Sequence, residues 1–402
     1  MSTVSPTNAA NARALARIVR RAPRWVGVAP AREVLGLAER VLLHAGPALI
    51  DPTQPPPAMR HAAMLACLHE GWAADEAAAA NLIKSGAVRL EPGGAHRVST
   101  PLVSIVSAST TLAMIDAGEA EANARWYGFL GTGGGAQMRF GAFDRAILER
   151  LKFREHTLQP GFAALLEAGP VDLLSIARSG LTEGDDLHNR LSSATQVLHA
   201  VLASRKIDTP AAHAALVTVL EAPLYFLNLW MPACALMLDA AMGESGCSLV
   251  TRFGANGEQI ALQIAGLPDR WFKAPVTFVR GPFMKGAPEK PQFPPVTGDS
   301  GIIDAFGLGG QVLHRAPSLQ SAFAPWLAAD DAARAASILC GMHPVLGVAV
   351  GLDAAAVSAS GRAPVLSTGM VSADGRGLLG RGVCDVPAAP FIDAVAALKL
   401  AR

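Results

Sequence analysis

Residues 249–264, LVTRFGANGEQIALQI, contain the clearest strand signal in the sequence. Two apolar-rich runs, 249–253 and 259–264, flank the dipeptide formed by Asn256 and Gly257. Asn-Gly is typical of two-residue type I′ turns, which need positive φ at both central positions. The stretch therefore predicts an antiparallel β-hairpin with a type I′ turn at Asn256 and Gly257.

The sequence changes character on either side of this hairpin. From about residue 162 to 243 the composition is helical, with glycine-containing breaks near 169, 180 and 184. Residues 222–238 carry no charge but are too few to span a bilayer and contain prolines, which predicts a buried core helix broken near Pro232. After the hairpin come a proline-rich stretch, 282–295, expected to be an exposed loop, and an apolar run, 345–350, expected to be a buried strand.

The N-terminal third mixes strand and helix signals. Residues 41–44 form a short apolar run that ends before Gly46 and Pro47, as a buried strand does. Residues 58–84 are helical in composition and end at Gly86, and residues 88–90 and 102–107 are expected to be strands. Together these patterns predict an α+β protein: two mixed α/β domains, residues 1–160 and 246–402, with a small all-helical domain, residues 161–245, between them.

Composition and charge exclude several classes of protein. The 402 residues are 51% hydrophobic and 17% charged, with a net charge of +1, so neither disorder nor a nucleic-acid or membrane partner is indicated. Six arginines and no acid in the first 32 residues resemble a transit peptide, but an Arg-rich surface helix is favoured because a long apolar core is missing. Five widely spaced cysteines and the absence of metal-ligand spacings predict a cytoplasmic protein without disulfides, metal or cofactor.

The most concentrated polar cluster is residues 184–190, GDDLHNR. Asp185 is a good helix N-cap, and His188, three residues later, would share its helix face. A carboxylate beside an imidazole orients the ring and raises its pKa, which suits a general acid or base. The alternative is a well-capped helix whose first turn is solvated.

Five further residues, in three parts of the sequence, are candidates for binding a substrate. Gly309 and Gly310 follow Asp299 closely, and glycine amides allow an anion to approach the backbone, while Asp299 would hold an amide or a basic side chain. Arg139 follows a glycine-rich loop, 131–135, and a guanidinium binds carboxylate or phosphate through two hydrogen bonds. His44, at a strand end, would line a cleft. The alternatives are ordinary turns, a surface salt bridge and a core histidine.

Eight ordered motifs make the sequence similar to the YlbE-like family. They cover nearly the whole chain: residues 42–47 (LLHAGP), 66–72 (ACLHEGW), 138–142 (MRFGA), 184–190 (GDDLHNR), 226–229 (FLNL), 270–275 (RWFKAP), 298–300 (GDS) and 306–310 (FGLGG). The resemblance implies a subunit of oxamate carbamoyltransferase, which acts with an FdrA-like subunit and a third small subunit in allantoin and purine nitrogen catabolism. The implied reaction converts oxalurate and phosphate to oxamate and carbamoyl phosphate.

Under this resemblance each candidate residue receives an expected role. His188 would transfer a proton and be oriented by Asp185, Arg139 would bind an anion, and the amides of Gly309 and Gly310 would bind an oxyanion or phosphate. The remaining candidates for substrate contact are Asp299, Asn189 and His44.

The sequence departs from the family pattern at residues 99–103 (STPLV) and 129–131 (FLG), where relatives carry a glycine-rich stretch and Asn-Glu-Gly. These departures keep two alternatives open: a non-catalytic scaffold or substrate-binding subunit, and a paralogue acting on a related ureido acid. A metal-dependent amidohydrolase is a third alternative.

Overall fold

Short helices and strands alternate along the chain. The computed structural model describes residues 6–118, 121 and 123–401. The helices within these residues are α1 (Pro6–Ile18), α2 (Ala31–Val34), α3 (Pro57–His69), α4 (Glu76–Lys84), α5 (Ala146–Phe153), α6 (Gln159–Glu167), α7 (Leu173–Thr182), α8 (Ser192–Ala203), α9 (Pro210–Glu221), α10 (Leu227–Asp239), α11 (Gly301–Phe306), α12 (Pro317–Phe323), α13 (Asp331–Ile338), α14 (Ala354–Ser360) and α15 (Ala389–Leu400).

The strands are short and pair mostly with sequence neighbours. They are β1 (Arg24–Pro30), β2 (Val41–His44), β3 (Arg89–Pro92), β4 (Val98–Ser99), β5 (Thr111–Asp116), β6 (Arg125–Phe129), β7 (Val171–Asp172), β8 (Val250–Asn256), β9 (Gln259–Ile264), β10 (Leu267–Pro275), β11 (Thr297–Gly298), β12 (Leu339–His343), β13 (Val348–Leu352), β14 (Val365–Val371) and β15 (Leu378–Asp385).

Two sheets organise the two ends of the chain. The N-terminal sheet has the order β4-β6-β5-β1-β7, and all its pairs are antiparallel except β4 with β6. The C-terminal sheet has the order β10-β9-β8-β11 and is antiparallel throughout. Three two-stranded ribbons complete the strand set: the parallel pair β2-β3 and the antiparallel pairs β12-β13 and β14-β15. Mixed sheets with separate helical stretches confirm the predicted α+β class.

Helix α10 forms the centre of the molecule. Every residue from Leu227 to Leu238 is buried, and the helix packs against β5, β6, β8 and α11. The predicted buried core helix is confirmed, but the predicted break near Pro232 is wrong. Pro232 lacks the N–H that would bind the Asn228 carbonyl, and that carbonyl instead lies against Gly128 of β6, where a Cβ would overlap it.

The hairpin of β8 and β9 is confirmed, but its turn differs from the prediction. Ala255 pairs with Ile260, so the turn has four residues, and Gly257 has φ +87° whereas Asn256 does not have positive φ. The Asn256 side chain instead accepts hydrogen bonds from the backbone N–H groups of Glu258 (2.9 Å) and Gln259 (2.8 Å). A side-chain-capped turn therefore replaces the type I′ turn.

The remaining local predictions have mixed outcomes. Strand β2 and the helices α6 to α10 occur where they were expected, β3 overlaps the predicted residues 88–90, and β13 overlaps the C-terminal half of the predicted strand at 345–350. Residues 102–107 are not a strand: Val103 has φ +57° and only Val106 forms a bridge, to Leu43. The Arg-rich N-terminal stretch includes α1, which buries Ala14 and Ile18 against the core.

The division into three domains stays a prediction. A π-helical turn, Arg154–Leu158, joins α5 directly to α6 across the predicted boundary. One hydrophobic cluster contains Trp25, Trp230 and Phe253, one from each predicted segment. The cluster shows how closely the three segments pack in this structure.

Candidate active site

The polar segment 184–190 is a loop organised by Asp186. One Asp186 oxygen accepts hydrogen bonds from three consecutive backbone N–H groups: His188 (3.0 Å), Asn189 (2.8 Å) and Arg190 (2.8 Å). Leu187 has φ +60°, which turns the chain sharply. The predicted helix with Asp185 as N-cap is therefore wrong, because the Asp186 carboxylate offers these donors an alternative to helix formation.

Asp185, which lies before α8 in the chain, stabilises the first turn of that helix. Its carboxylate accepts from the N–H groups of Ala194 (2.8 Å) and Ser193 (3.4 Å) in α8 and forms an ion pair with Arg190 (3.0 Å). The side chain is buried, and burial raises its pKa to about 6. Asp185 is a capping residue and does not contact the His188 ring.

The residue that orients His188 is Asp304, on α11. The His188 Nδ1 atom lies 2.6 Å from Oδ2 of Asp304, and both side chains are buried. The other Asp304 oxygen accepts from the N–H groups of Gly310 (2.8 Å) and Ser367 (3.0 Å). Burial raises the pKa of Asp304, and the interaction with His188 opposes that rise. The expectation that Asp185 orients His188 is therefore corrected.

This arrangement fixes the tautomer of the neutral His188 ring. An ionised carboxylate is only an acceptor, so Nδ1 carries the proton that is donated to Asp304. The lone pair is then on Nε2, the nitrogen that can accept a proton from a reacting group. A buried base held by a buried carboxylate is the recurring arrangement of acid–base catalysis.

Gly309 and Gly310 support this pair rather than exposing their amides. The Gly309 N–H donates to the Asp186 carbonyl (2.9 Å), and the Gly310 N–H donates to Asp304. A Cβ at Gly309 would lie 3.1 Å from Nδ1 of His188, and one at Gly310 would overlap the Val365 carbonyl. Both amides are therefore already engaged, and the expected role in binding an oxyanion does not fit this conformation.

Asn189 joins the loop to β14 and β15. Its side-chain N–H groups donate to Ser367 Oγ (3.1 Å) and to the carbonyl oxygens of Thr368 (3.0 Å) and Gly382 (3.2 Å). Ser367 also donates to Asp186 (2.7 Å). With these bonds Asn189 holds the loop in place, and its predicted contact with substrate would require that these bonds break.

Arg139 is a buried guanidinium that retains free donors. Its Nε and Nη2 atoms have no hydrogen-bond partner within the described ranges, and its guanidinium carbon lies 4.1 Å from the centre of the Phe140 ring. Burial, with a smaller effect from Arg381, lowers its pKa to about 9. The residue lines an open groove of about 400 Å³ together with Phe143 and Arg376. These properties fit a binding site for an anion.

Arg381 contacts the His188 loop and acts electrostatically on Arg139. The Arg381 guanidinium donates to the backbone carbonyl of Asn189 (2.9 Å), the residue after His188. The same guanidinium is near enough to Arg139 to lower its pKa. Arg381 thus brings a positive charge to the loop that carries His188.

Asp299 and His44 lie at a separate place, where the N-terminal loops meet the C-terminal sheet. Asp299 accepts from the N–H groups of Gly46 (2.7 Å) and Thr100 (3.1 Å), and burial raises its pKa to about 6. It borders a narrow cavity of about 20 Å³, lined also by Arg252. His44 donates from Nδ1 to the Ala45 carbonyl (2.8 Å), and burial lowers its pKa to about 4. No hydrogen bond joins either residue to the His188 loop in the described structure.

Comparison with known proteins identifies the family. Residues 88–300 match the family model described as oxamate carbamoyltransferase subunit AllG. The chain is 33% identical to the oxamate carbamoyltransferase subunit AllG of Escherichia coli K12, with 97% of each chain covered. The chain belongs to the AllG family. A second relative, the uncharacterised protein YahG of the same organism, is 30% identical over 96% of this chain and 85% of its own length.

The AllG-family fold also has a solved counterpart. The crystal structure of a conserved protein of unknown function from Enterococcus faecalis V583 matches with a TM-score of 0.88 and 25% identity, covering 98% of both chains. Within the described residues of this AllG-family chain, no group of three or more His, Cys, Asp or Glu side chains could hold a metal ion. Nor do those residues include a helix that combines the length and apolar character needed to cross a bilayer.

Sequence reasoning missed three members of the candidate site: Asp304, Ser367 and Arg381. Each lies more than 100 residues from His188 in the chain, so no local spacing connects them. A weak signal exists for Ser367 and Thr368, two polar residues inside the apolar strand β14. Buried polar side chains in such a strand need hydrogen-bond partners, which here are Asp186 and Asn189.

Proposed function

We propose that this AllG-family chain is a cytoplasmic subunit of oxamate carbamoyltransferase, converting oxalurate and phosphate to oxamate and carbamoyl phosphate. The relation to YlbE-like proteins, the role in purine and allantoin nitrogen catabolism, and assembly with an FdrA-like and a third small subunit are parts of this proposal. The observation that carries it is the buried His188–Asp304 pair in a chain 33% identical to an AllG subunit.

The chemistry assigns a specific task to His188. A phosphate oxygen attacks the carbamoyl carbon of oxalurate, a carbon–oxygen bond forms, and the bond to the oxamate nitrogen breaks. The phosphate loses a proton and the departing nitrogen gains one. Nε2 of His188 accepts the first and supplies the second, while Asp304 stabilises the transient imidazolium.

The anions of this reaction require positive partners. Oxalurate carries a carboxylate, and phosphate carries up to two charges at neutral pH. Arg139, with two unpaired donors, is proposed to bind one of them, with Arg381 adding to the positive potential. Asp299, at the second cavity, is proposed to contact the ureido group of the substrate.

A second candidate function is a scaffold or substrate-binding subunit without catalytic residues. The engaged backbone amides of Gly309 and Gly310 and the engaged side-chain N–H groups of Asn189 favour it, because these groups are structural here. A paralogue acting on a related ureido acid is a further form of the proposal, motivated by the apolar residues Leu102 and Leu130 in the altered loops.

A reconstituted complex distinguishes these functions. We expect His188→Asn to lower kcat for carbamoyl phosphate formation at least about a hundredfold, as loss of a general acid–base does. The matched control is His213→Asn, at an exposed position of α9, which should leave kcat unchanged. If His188→Asn changes complex assembly or substrate affinity while turnover stays within about threefold, the catalytic role is wrong and the scaffold function is supported.

A further inference from the structure

A second group of cationic side chains surrounds residues 129–132, away from His188. Arg150 and Arg154 lie four residues apart on one helix face, at the junction of α5 with the π-helical turn Arg154–Leu158. The Arg150 guanidinium donates to the Thr132 carbonyl, and that of Arg154 lies 5.0 Å from the centre of the Phe129 ring. Both guanidinium groups therefore face the same short segment. Turns of this π type often occur at functional sites.

Several donors of this group have no partner. Arg154 is 1% exposed, yet its Nε and Nη1 atoms lack a hydrogen-bond partner, as does Nε of Arg150, among the residues that the structure describes. A buried donor without a partner costs about 1–3 kcal/mol, and a charged one costs more. Such groups are rare in folded proteins and usually indicate a bound water or ion.

The carboxylates of Glu155 and Glu70 both act electrostatically on Arg154, but neither pairs with Arg150. Glu155 pairs with Arg154 (2.9 Å) and with Nε2 of His69 (2.8 Å), so its carboxylate is already shared by two partners. Arg150 has no carboxylate partner in the described part of the chain. Two like charges one helical turn apart repel each other, and burial strengthens the repulsion. An additional negative charge beside Arg150 and Arg154 would relieve it.

We propose that Arg150 and Arg154, with the 129–132 segment, form a second binding site that takes a small oxyanion, a carboxylate or a phosphate. A guanidinium donates N–H groups to the oxygens of either ion, and Nε and Nη1 of Arg154 are two donors without a partner among the described residues, each able to bond one oxygen. Glu155 accepts from Nη2 of Arg154 and is itself held by Nε2 of His69, which fixes the Arg154 side chain. The site shares no residue with the His188 loop or with Arg139.

The test is calorimetric titration of the full-length chain with inorganic phosphate and, separately, with acetate, at constant ionic strength. We expect Arg154→Met to weaken binding of at least one of these ions tenfold or more, and Arg154→Lys to weaken it less. Arg139→Met should leave this binding event in place, which separates the site from the proposed active site. The matched control is Arg145→Met, since Arg145 is exposed and pairs with Glu76 on the protein surface. Preference for phosphate or acetate shows which kind of oxyanion the site takes.

A second measurement needs no substitution. Crystals of the wild-type chain soaked in selenate should show an anomalous peak within hydrogen-bond distance of Nε or Nη1 of Arg154. Water alone at these atoms after the soak, or phosphate and acetate titrations that Arg154→Met leaves unchanged, would overturn the proposal. Neither experiment measures turnover. The anion titrations and the selenate soak therefore test this site even if the proposed enzymatic function is wrong.

Discussion

Replacing Asp304 with asparagine tests how His188 is oriented. In the Asp304→Asn variant the amide oxygen can still accept the N–H groups of Gly310 and Ser367. The amide nitrogen then faces Nδ1 of His188 at the position where the carboxylate oxygen lies 2.6 Å away. Because that nitrogen is a donor, Nδ1 must become an acceptor and the ring proton moves to Nε2. The variant therefore keeps the local shape and changes the tautomer.

The structure sets the expected size of this effect. Without a lone pair on Nε2 the general-base contribution is lost, which lowers kcat by about a hundredfold to ten-thousandfold, or about 3–5 kcal/mol of activation free energy. The free energy of unfolding should fall by only about 1–3 kcal/mol, the difference between a charge-assisted and a neutral hydrogen bond. The decrease is small because the variant buries a neutral amide and no longer bears the cost of desolvating a carboxylate.

The assay measures carbamoyl phosphate formation by the reconstituted complex, together with urea unfolding of the isolated chain. Asp353→Asn is the matched control, since Asp353 caps α14 and asparagine caps equally well, so both activity and stability should remain. Turnover of Asp304→Asn within about threefold of wild type, in a folded protein, would refute the proton-transfer role of His188.

Three further predictions concern stability. Gly310→Ala should lower the free energy of unfolding by more than about 3 kcal/mol, since its Cβ would overlap the Val365 backbone, whereas Gly94→Ala, in open space, should be nearly neutral in the same urea unfolding. Burial raises the pKa of Asp299 to about 6, so its protonated carboxyl group stabilises the folded protein. This contribution is fully present below about pH 4 and is lost as the pH rises through 6. Between pH 4 and pH 7 the free energy of unfolding of Asp299→Asn should therefore rise relative to that of wild type by no more than about 3 kcal/mol. A difference between the two proteins that stays constant with pH would contradict the raised pKa. The pKa of His44, lowered to about 4, has the opposite effect on stability: the contribution of the neutral ring is present above about pH 6.5 and is lost as the pH falls through 4. Over that range the free energy of unfolding of wild type should fall by about 3 kcal/mol relative to that of His44→Gln. Parallel pH profiles of the two proteins would contradict this.

Local sequence patterns predicted the elements whose causes are local. Strand β2 ends before Gly46 and Pro47, and the β8–β9 hairpin forms around Asn256 and Gly257, because turn residues act on their immediate neighbours. The turn type was wrong because the Asn256 side chain binds two backbone N–H groups, a contact that competes with the type I′ geometry. Pro232 did not break α10, since packing against β6 outweighs the lost hydrogen bond.

The candidate site was predictable only in part. The polar cluster at residues 184–190 was found from its composition, and His188 does lie beside a carboxylate. The identity of that carboxylate could not be predicted from sequence spacing, because Asp304 is 116 residues away from His188 and is brought next to it by the packing of α11. The amides of Gly309 and Gly310 were expected to be free, but the fold uses them to hold Asp186 and Asp304 in place. Long-range partners of this kind are set by tertiary structure.

The most direct test of the account is the reaction itself. The wild-type chain, assembled with the proposed FdrA-like and third subunits, is incubated with oxalurate and inorganic phosphate, and the reaction is followed by phosphorus NMR. We predict that a carbamoyl phosphate signal appears together with an equal amount of oxamate, and that omission of this chain abolishes both. Formation of neither product from oxalurate or from related ureido acids, by a complex that is shown to be assembled, would contradict the carbamoyltransferase function.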